Sequence, residues 1–277
     1  MSDPSPRPWA DAPAAALQAV VGVLTDIDDT LTTSGAITPD ALQALASLRA
    51  AGLAVIAITG RPMGWSQPFA LAWPVEAIVA ENGAVALMRD DAGGLAIAYA
   101  QDEATRRRNA QRLREVAVRI LREVPGSTLA RDSAGRVTDI AIDHSEFSHL
   151  APEQVAAVVA LMHAEGMNAT ISSIHINGWF GTHTKLSGAR WMVQHLLARN
   201  LDTEFERWVY VGDSTNDEAM FGHFPLSVGV ANLLDFTEAL TVWPAYLTQG
   251  ARGAGFAEMA RRLCPRESGI AALRRPV

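Results

Sequence analysis

The residues of this chain that could do chemistry fall in short clusters, and the first is the densest. Val21-Gly22-Val23-Leu24-Thr25 runs uncharged into Asp26-Ile27-Asp28-Asp29-Thr30, which sets three carboxylates within four positions. Inside a fold such acids repel one another, each raising the cost of ionising the next, unless a cation or a phosphoryl chemistry uses them. Standing alone, the cluster also fits a solvated acidic turn after a strand. Three more clusters follow: Thr59-Gly60-Arg61, Lys185, and Gly212-Asp213-Ser214-Thr215-Asn216-Asp217-Glu218. Taken singly, Thr59 could cap a turn, Lys185 could lie on the surface, and Asp213 and Asp217 could flank a helix N-terminus.

What joins them is the kind of element that precedes each. Leu53 to Ile58, Ala77 to Ala80 and Trp208 to Val211 are continuous apolar runs, the pattern of strands covered on both faces in a parallel sheet. Thr38-Pro39-Asp40 opens a helix between the first two strands, with Thr38 as N-cap, Pro39 at the first helical position and Asp40 facing the dipole. Leu42, Leu45 and Leu48 form its expected apolar face, and Gly52 closes it. This alternation predicts an α/β fold with a doubly wound parallel sheet, in which ligands bind beyond the carboxyl ends of the strands. Asp26, Asp28, Thr59, Asn82 and Asp213 all fall at such ends.

After Ala84 the texture changes. The turn-rich Arg89 to Gly94 between Val85–Met88 and Leu95–Tyr99 signals a hairpin and the start of a separate antiparallel layer. Helices near Glu103 to Glu123 and Pro152 to Ala164, with strands around 128–131, 137–143, 168–174 and 175–180, make an inserted α+β module. The arginines of the first of these helices read as a solvated face. The predicted division is a loose tail over 1–12, a core over 13–83 and 184–265, an inserted domain over 84–183, and a peripheral end over 266–277.

In order and character the four clusters resemble the haloacid dehalogenase superfamily of phosphohydrolases: Asp-x-Asp-x-Thr at Asp26 to Thr30, a Thr closing the second strand at Thr59, a lysine at Lys185, and Gly-Asp-x-x-x-Asp at Gly212 to Asp217. The resemblance covers about Val20 to Ala84 and Thr184 to Leu263. It implies that Asp26 attacks phosphorus to form an aspartyl-phosphate and that Asp28 serves as general acid and base. A carboxylate nucleophile needs a cation and fixed donors to offset the charge on phosphate, and acids two apart on a strand share a face. The implied cofactor is Mg2+, held by Asp26, the Asp28 carbonyl and Asp213, with Asp217 either direct or through water. Thr59, Gly60 and Lys185 would hold the phosphoryl oxygens, with Asn216 as a further contact. Asp29 stands where glycine is frequent and receives no role.

An insert placed between the second and third motifs, after Asn82-Gly83-Ala84, resembles the C2-type cap of subfamily IIB, which contains sucrose-phosphate, mannosyl-3-phosphoglycerate and trehalose-phosphate phosphatases. That implies a small phosphorylated metabolite, a sugar phosphate, as substrate. His175, Asn177 and Trp179, alternating along one strand before Lys185, are the candidate cap residues for it. Ordinary packing would also account for His175 and Trp179. The rival readings are a sugar phosphomutase of the same subfamily, a phospho-accepting domain, and a sugar-phosphate sensor without turnover.

Composition bounds the rest. The 277 residues are 49% hydrophobic and 19% charged, enough to bury a full core in about two domains. A net charge of -7 argues against a general binder of nucleic acid or anionic membranes. No apolar run approaches the length of a membrane span. The single cysteine, Cys264, excludes an internal disulfide and favours a reducing, cytoplasmic compartment.

Overall fold

The computed structural model describes residues 5–264, and its largest element is a nine-stranded sheet. In chain order the elements are β1 (Arg7–Pro8), α1 (Ala14–Gln18), β2 (Gly22–Thr25), the small hairpin β3 (Thr32–Thr33) and β4 (Ala36–Ile37), α2 (Pro39–Ala50), β5 (Ala54–Ile58), α3 (Met63–Ala72) and β6 (Ala77–Ala80). Next come β7 (Val85–Arg89), β8 (Leu95–Tyr99), α4 (Glu103–Glu123), β9 (Thr128–Leu129), β10 (Asp139–Asp143), α5 (Pro152–Ala164), β11 (Asn168–Ile171) and β12 (His175–Trp179). The chain then returns with α6 (Lys185–Leu197), β13 (Trp208–Gly212), α7 (Glu218–Phe221), β14 (Leu226–Gly229), β15 (Tyr246–Leu247) and α8 (Arg252–Leu263).

The sheet runs β1-β15-β14-β13-β2-β5-β6-β7-β8, parallel from β1 to β6. Successive side chains of a strand leave on opposite faces, so one run feeds two cores. Val23, Val55 and Val209 pack with Leu45 and Leu48 of α2 and Phe256 of α8, whereas Leu24, Ile56 and Tyr210 pack with Met192 of α6 and Phe221 of α7. Thr38 caps α2 as expected, its hydroxyl accepting from the Ala41 amide. The buried face of α2 is Ala41, Ala44, Leu45 and Leu48, a regular helical stripe that leaves Leu42 outside it and 38% exposed.

Three expectations about organisation are corrected. The hairpin β7–β8 is not a new layer but the edge of the main sheet, with β7 antiparallel to β6 in the register Val79↔Ala86. Three successive left-handed residues, Glu81, Asn82 and Gly83, reverse the chain so tightly that the next strand must lie beside the last. The inserted module therefore begins near Ala100, not at 84. Residues 7–12 of the expected tail are docked, because β1 pairs with β15 and Trp9 is 1% exposed, with its indole N–H on the Met259 carbonyl at 3.2 Å. One large apolar ring outweighs the Pro, Ala and Asp around it. The connection after β5 forms α3, with Pro68 inside the helix. Residues 1–4 and the expected peripheral end, 266–277, lie outside the described residues.

The inserted module has a four-stranded sheet, β11-β12-β10-β9, with α4 and α5 packed against it through Leu113, Ile120, Val158, Met162 and Ile176. It meets the core at two chain crossings that lie back to back. The first, at Gln101, is tied to the second by the Gln101 side-chain amide, which donates to the Phe180 carbonyl at 2.7 Å. In the second crossing His183 stacks on Trp179, with ring centres 5.7 Å apart, and both its ring nitrogens are buried without a hydrogen-bond partner.

Burial pushes the His183 imidazole down to about 4, so it is neutral at pH 7. The folded value lies below the unfolded one of about 6.5, so its contribution is complete above pH 6.5 and is lost as pH falls toward 4. That contribution amounts to about 3 kcal/mol. His183→Phe keeps the stack and should flatten the loss of urea stability between pH 6.5 and 4; an unchanged slope assigns the acid sensitivity elsewhere.

Candidate active site

The predicted clusters converge at the carboxyl ends of the parallel strands. The Asp26 amide continues the pairing of β2 with β13 by donating to the Val211 carbonyl at 2.9 Å, which sets the Asp26 side chain beside the loop after β13. Lys185, at the first turn of α6, reaches in from the other side. Its Nζ donates to Asp26 Oδ1 at 2.7 Å, Asp217 Oδ1 at 2.7 Å and Asn216 Oδ1 at 3.0 Å. Burial opposes the ammonium, but Asp217 and Asp26 outweigh it and raise its pKa.

Asp217 accepts four bonds: Lys185 Nζ and the Tyr210 hydroxyl (2.5 Å) on Oδ1, and the Asp213 and Ser214 amides (2.9 and 3.2 Å) on Oδ2. These fill the acceptor positions of a carboxylate. Asp217 therefore holds the lysine and folds its own loop. Among the described residues Asp213 has no such collection of donors; its only side-chain bond there is from Asn232 Nδ2 at 3.3 Å. Burial, helped by Asp26 and Asp217, lifts the Asp213 carboxyl well above the ordinary range. Burial likewise raises Asp26, to about 8, against the pull of Lys185 and with the push of Asp217 and Asp28.

That crowding is what a cation would relieve. Asp26, Asp213 and Asp217 each offer a carboxylate oxygen within 4.8 Å of the others, all of them buried. An all-oxygen, acidic donor set suits a hard divalent ion such as Mg2+. Asp26 and Asp213 would hold it with the Asp28 carbonyl, and Asp217, with its acceptor positions filled, would add only its nearby charge.

Asp28 is held differently. Arg61 Nε donates to both its oxygens at 2.9 and 3.0 Å, while Nη2 reaches Glu146 Oε1 at 2.9 Å and Nη1 reaches Asp132 at 3.3 Å. One guanidinium thus ties the core to the inserted module. Burial raises the Asp28 carboxyl in spite of Arg61. Glu146 in turn accepts from His175 Nε2 at 2.9 Å, and this bond with those from Arg61 holds its carboxyl down near 2 against burial. The Gly60 carbonyl is gripped from the inserted module by Arg136 Nη1 (2.9 Å) and Asn177 Nδ2 (3.2 Å). Glu81, fully buried, accepts from the amides of Met63, Val137 and Thr138.

The predicted residues fare unequally. Asp26, Asp28, Gly60, Asp213 and Asn216, with His175 and Asn177, line one small space of about 10 Å³, room for roughly one water. Ser172 to His175 of the inserted module form part of its wall. Thr59 is buried behind that space, its Oγ1 accepting from the Arg61 amide at 3.0 Å. Trp179 is corrected: it is 2% exposed, its indole N–H donates to the His183 carbonyl, and it lines none of the cleft. Four residues of strand at about 3.3 Å each carry it away from His175 and toward the crossing. Asp29 gains a partner, since Arg252 Nε donates to its Oδ1 at 2.8 Å. Sequence reasoning quoted Arg61 within a motif without giving it a task, and it missed Glu146, Asp132, Arg136 and Arg252. Only Arg61, directly after Thr59-Gly60 at a strand end, carried a signal.

Residues 23–113 match the family of haloacid dehalogenase-like hydrolases. No curated protein sequence matches the chain. Among solved structures, the chain is similar to a Thermoplasma acidophilum protein (16% identity, 88% of this chain and 98% of that one, TM-score 0.66). It is similar to the C-terminal domain of trehalose-6-phosphate phosphatase from C. albicans (14%, 95% and 99%, TM-score 0.65). It is also similar to the sucrose-phosphatase of Synechocystis, solved with sucrose and phosphate (16%, 88% and 98%, TM-score 0.62). At these identities the solved structures speak for the fold of core and insert together. The family match spans the first two motif strands, and the acids and lysine of the remaining motifs gather at the ends of the same sheet, so residues 23–113 are similar to the haloacid dehalogenase-like hydrolases and the chain as a whole has the fold of these solved structures.

Proposed function

We propose that this protein is a magnesium-dependent phosphatase that hydrolyses the phosphate monoester of a sugar or related small metabolite, as subfamily IIB enzymes do, with the inserted module as its C2-type cap. The observation that carries the reading is the convergence of Lys185 on Asp26 and Asp217, with Asp213 beside them, at the carboxyl ends of the parallel strands. Asp26 Oδ forms a bond to phosphorus as the bond to the leaving oxygen breaks, and Asp28 delivers the proton that oxygen needs. Water then attacks the phosphorus of the aspartyl-phosphate, giving its proton to Asp28 as the bond between phosphorus and Asp26 Oδ breaks, which releases orthophosphate and restores the Asp26 carboxylate. Lys185 offsets charge on the transferring group, and Gly60, Thr59 and Asn216 frame it. Bound Mg2+ would supply further charge neutralisation for the phosphoryl oxygens. Arg61 has to share or release Asp28 during this cycle, so cap movement and proton delivery are linked through one side chain.

The solved relatives named for sucrose and trehalose phosphates support a sugar as the leaving group. Among the described residues no helix is long and apolar enough to cross a membrane. The lone Cys264 supports a reducing, cytoplasmic setting. The test is release of orthophosphate from a panel of phosphorylated sugars and polyols with Mg2+ and with EDTA. Release that EDTA abolishes and Mg2+ restores is expected; no release from any ester, or release indifferent to EDTA, overturns the reading.

A further inference from the structure

Beside the closed phosphoryl site lies a larger chamber of about 540 Å³, where the leaving group of a phosphate ester would sit. Among the described residues its two cations are both already matched. Arg61 is shared among Asp28, Asp132 and Glu146. Arg252, its side chain 43% exposed, is held by Asp29 at 2.8 Å, and Asn232 fixes the pair by donating to the Asp29 carbonyl (3.1 Å) and accepting from the Arg252 amide (2.8 Å). Both Asp29 and Arg252 adopt left-handed backbone, with φ of 53° each, so two costly conformations are maintained where they meet. Asp235, also on the wall, carries no ion pair among the described residues, so the chamber as a whole is negative. A second anionic group on the substrate would find no free cation there and a surplus of like charge, whereas hydroxyls would find carboxylate and serine acceptors.

We infer that the Asp29–Arg252 pair is a specificity device: by neutralising the one solvent-facing cation of the chamber, Asp29 restricts the enzyme to esters whose leaving group is uncharged and hydroxyl-rich. The inference rests on the phosphatase reading and adds the charge class of the substrate to it. It also gives Asp29 a task apart from the chemistry.

Glucose 6-phosphate and 6-phosphogluconate are matched probes of one size, the second bearing a carboxylate. Wild type should favour the neutral ester in kcat/KM by about tenfold or more, the scale at which one uncompensated like charge counts. Asp29→Asn, an exchange that left-handed backbone tolerates, frees Arg252 and should shrink that ratio about tenfold; adding Arg252→Ala should restore it. Any change in metal affinity acts on both esters alike and cancels in the ratio. Arg252→Ala alone leaves Asp29 bare and should widen the preference, which keeps the test alive if Asp29→Asn fails to fold. The inference is overturned if wild type shows no preference, if it hydrolyses neither sugar ester while hydrolysing p-nitrophenyl phosphate, or if the variants leave the ratio unchanged. Failure to hydrolyse even p-nitrophenyl phosphate removes the phosphatase reading itself, and the inference with it.

Discussion

Asp26→Asn is expected to lower kcat for phosphate release by at least about 10⁴-fold, because the amide oxygen cannot form or sustain the acyl-phosphate bond and no neighbouring group can replace it. Asp28 is clamped by Arg61, Asp213 lacks a lysine contact, and Asp217 already accepts four bonds. The same change should leave the fold intact. Asp26 is one of three buried carboxylates pressed together, and burial and its acidic neighbours already disfavour its charge. Replacing it by a neutral isostere relieves repulsion while Lys185 keeps Asp217. Thermal melting in EDTA should place the variant level with wild type or above it. Turnover at the wild-type rate would end Asp26's claim to be the nucleophile, and a collapsed melting temperature would make the lost activity uninformative.

Lys185→Met has the opposite signature, with both activity and stability falling. Lys185 is 4% exposed and is the only cation touching Asp26 or Asp217 among the described residues. Removing one partner of a buried ion pair leaves uncompensated charge that costs about 3–5 kcal/mol. Loss of a fixed positive donor to the transferring phosphoryl group costs a further factor of about 10²–10³ in kcat. Urea denaturation at pH 7 and steady-state kinetics measure the two separately. A variant as stable as wild type would mean that the Lys185 ammonium does not hold these acids together in the resting protein. Setting the two substitutions side by side distinguishes a residue kept for chemistry from one kept for chemistry and architecture at once.

Much of this arrangement was legible before any coordinates. Apolar runs ending in Asp26, Thr59 and Asp213 admit little but a parallel sheet, and such a sheet brings those ends together. Lys185 was picked out by the family resemblance, as the lysine between the second and last motifs, because a lysine at a helix start carries no local signal of its own. What escaped shares a different cause. The turn at Glu81 to Gly83 decides whether β7 joins the core or leaves it, and that depends on three left-handed residues, of which only glycine announces itself. Leu42 alternates plausibly with Leu45 and Leu48, but the small Ala41 and Ala44 take the inner face, since close packing rewards fit as well as hydrophobicity. Arg61 and Glu146 stand 85 residues apart in separate domains, and no local pattern couples them. Trp179 was misplaced because alternation gives the side of a strand but not the distance along it.

The short strand at Arg7 and Pro8 has a meaning for the molecule among its neighbours. A parallel sheet that stopped at Tyr246 and Leu247 would present a row of unpaired backbone groups, an invitation to another copy's strand. Instead the rim is covered by a strand only two residues long, whose second residue has no N–H to offer and whose continuation turns inward to bury Trp9. Growth of the sheet from copy to copy is blocked at that side by residues whose composition suggests nothing but slack.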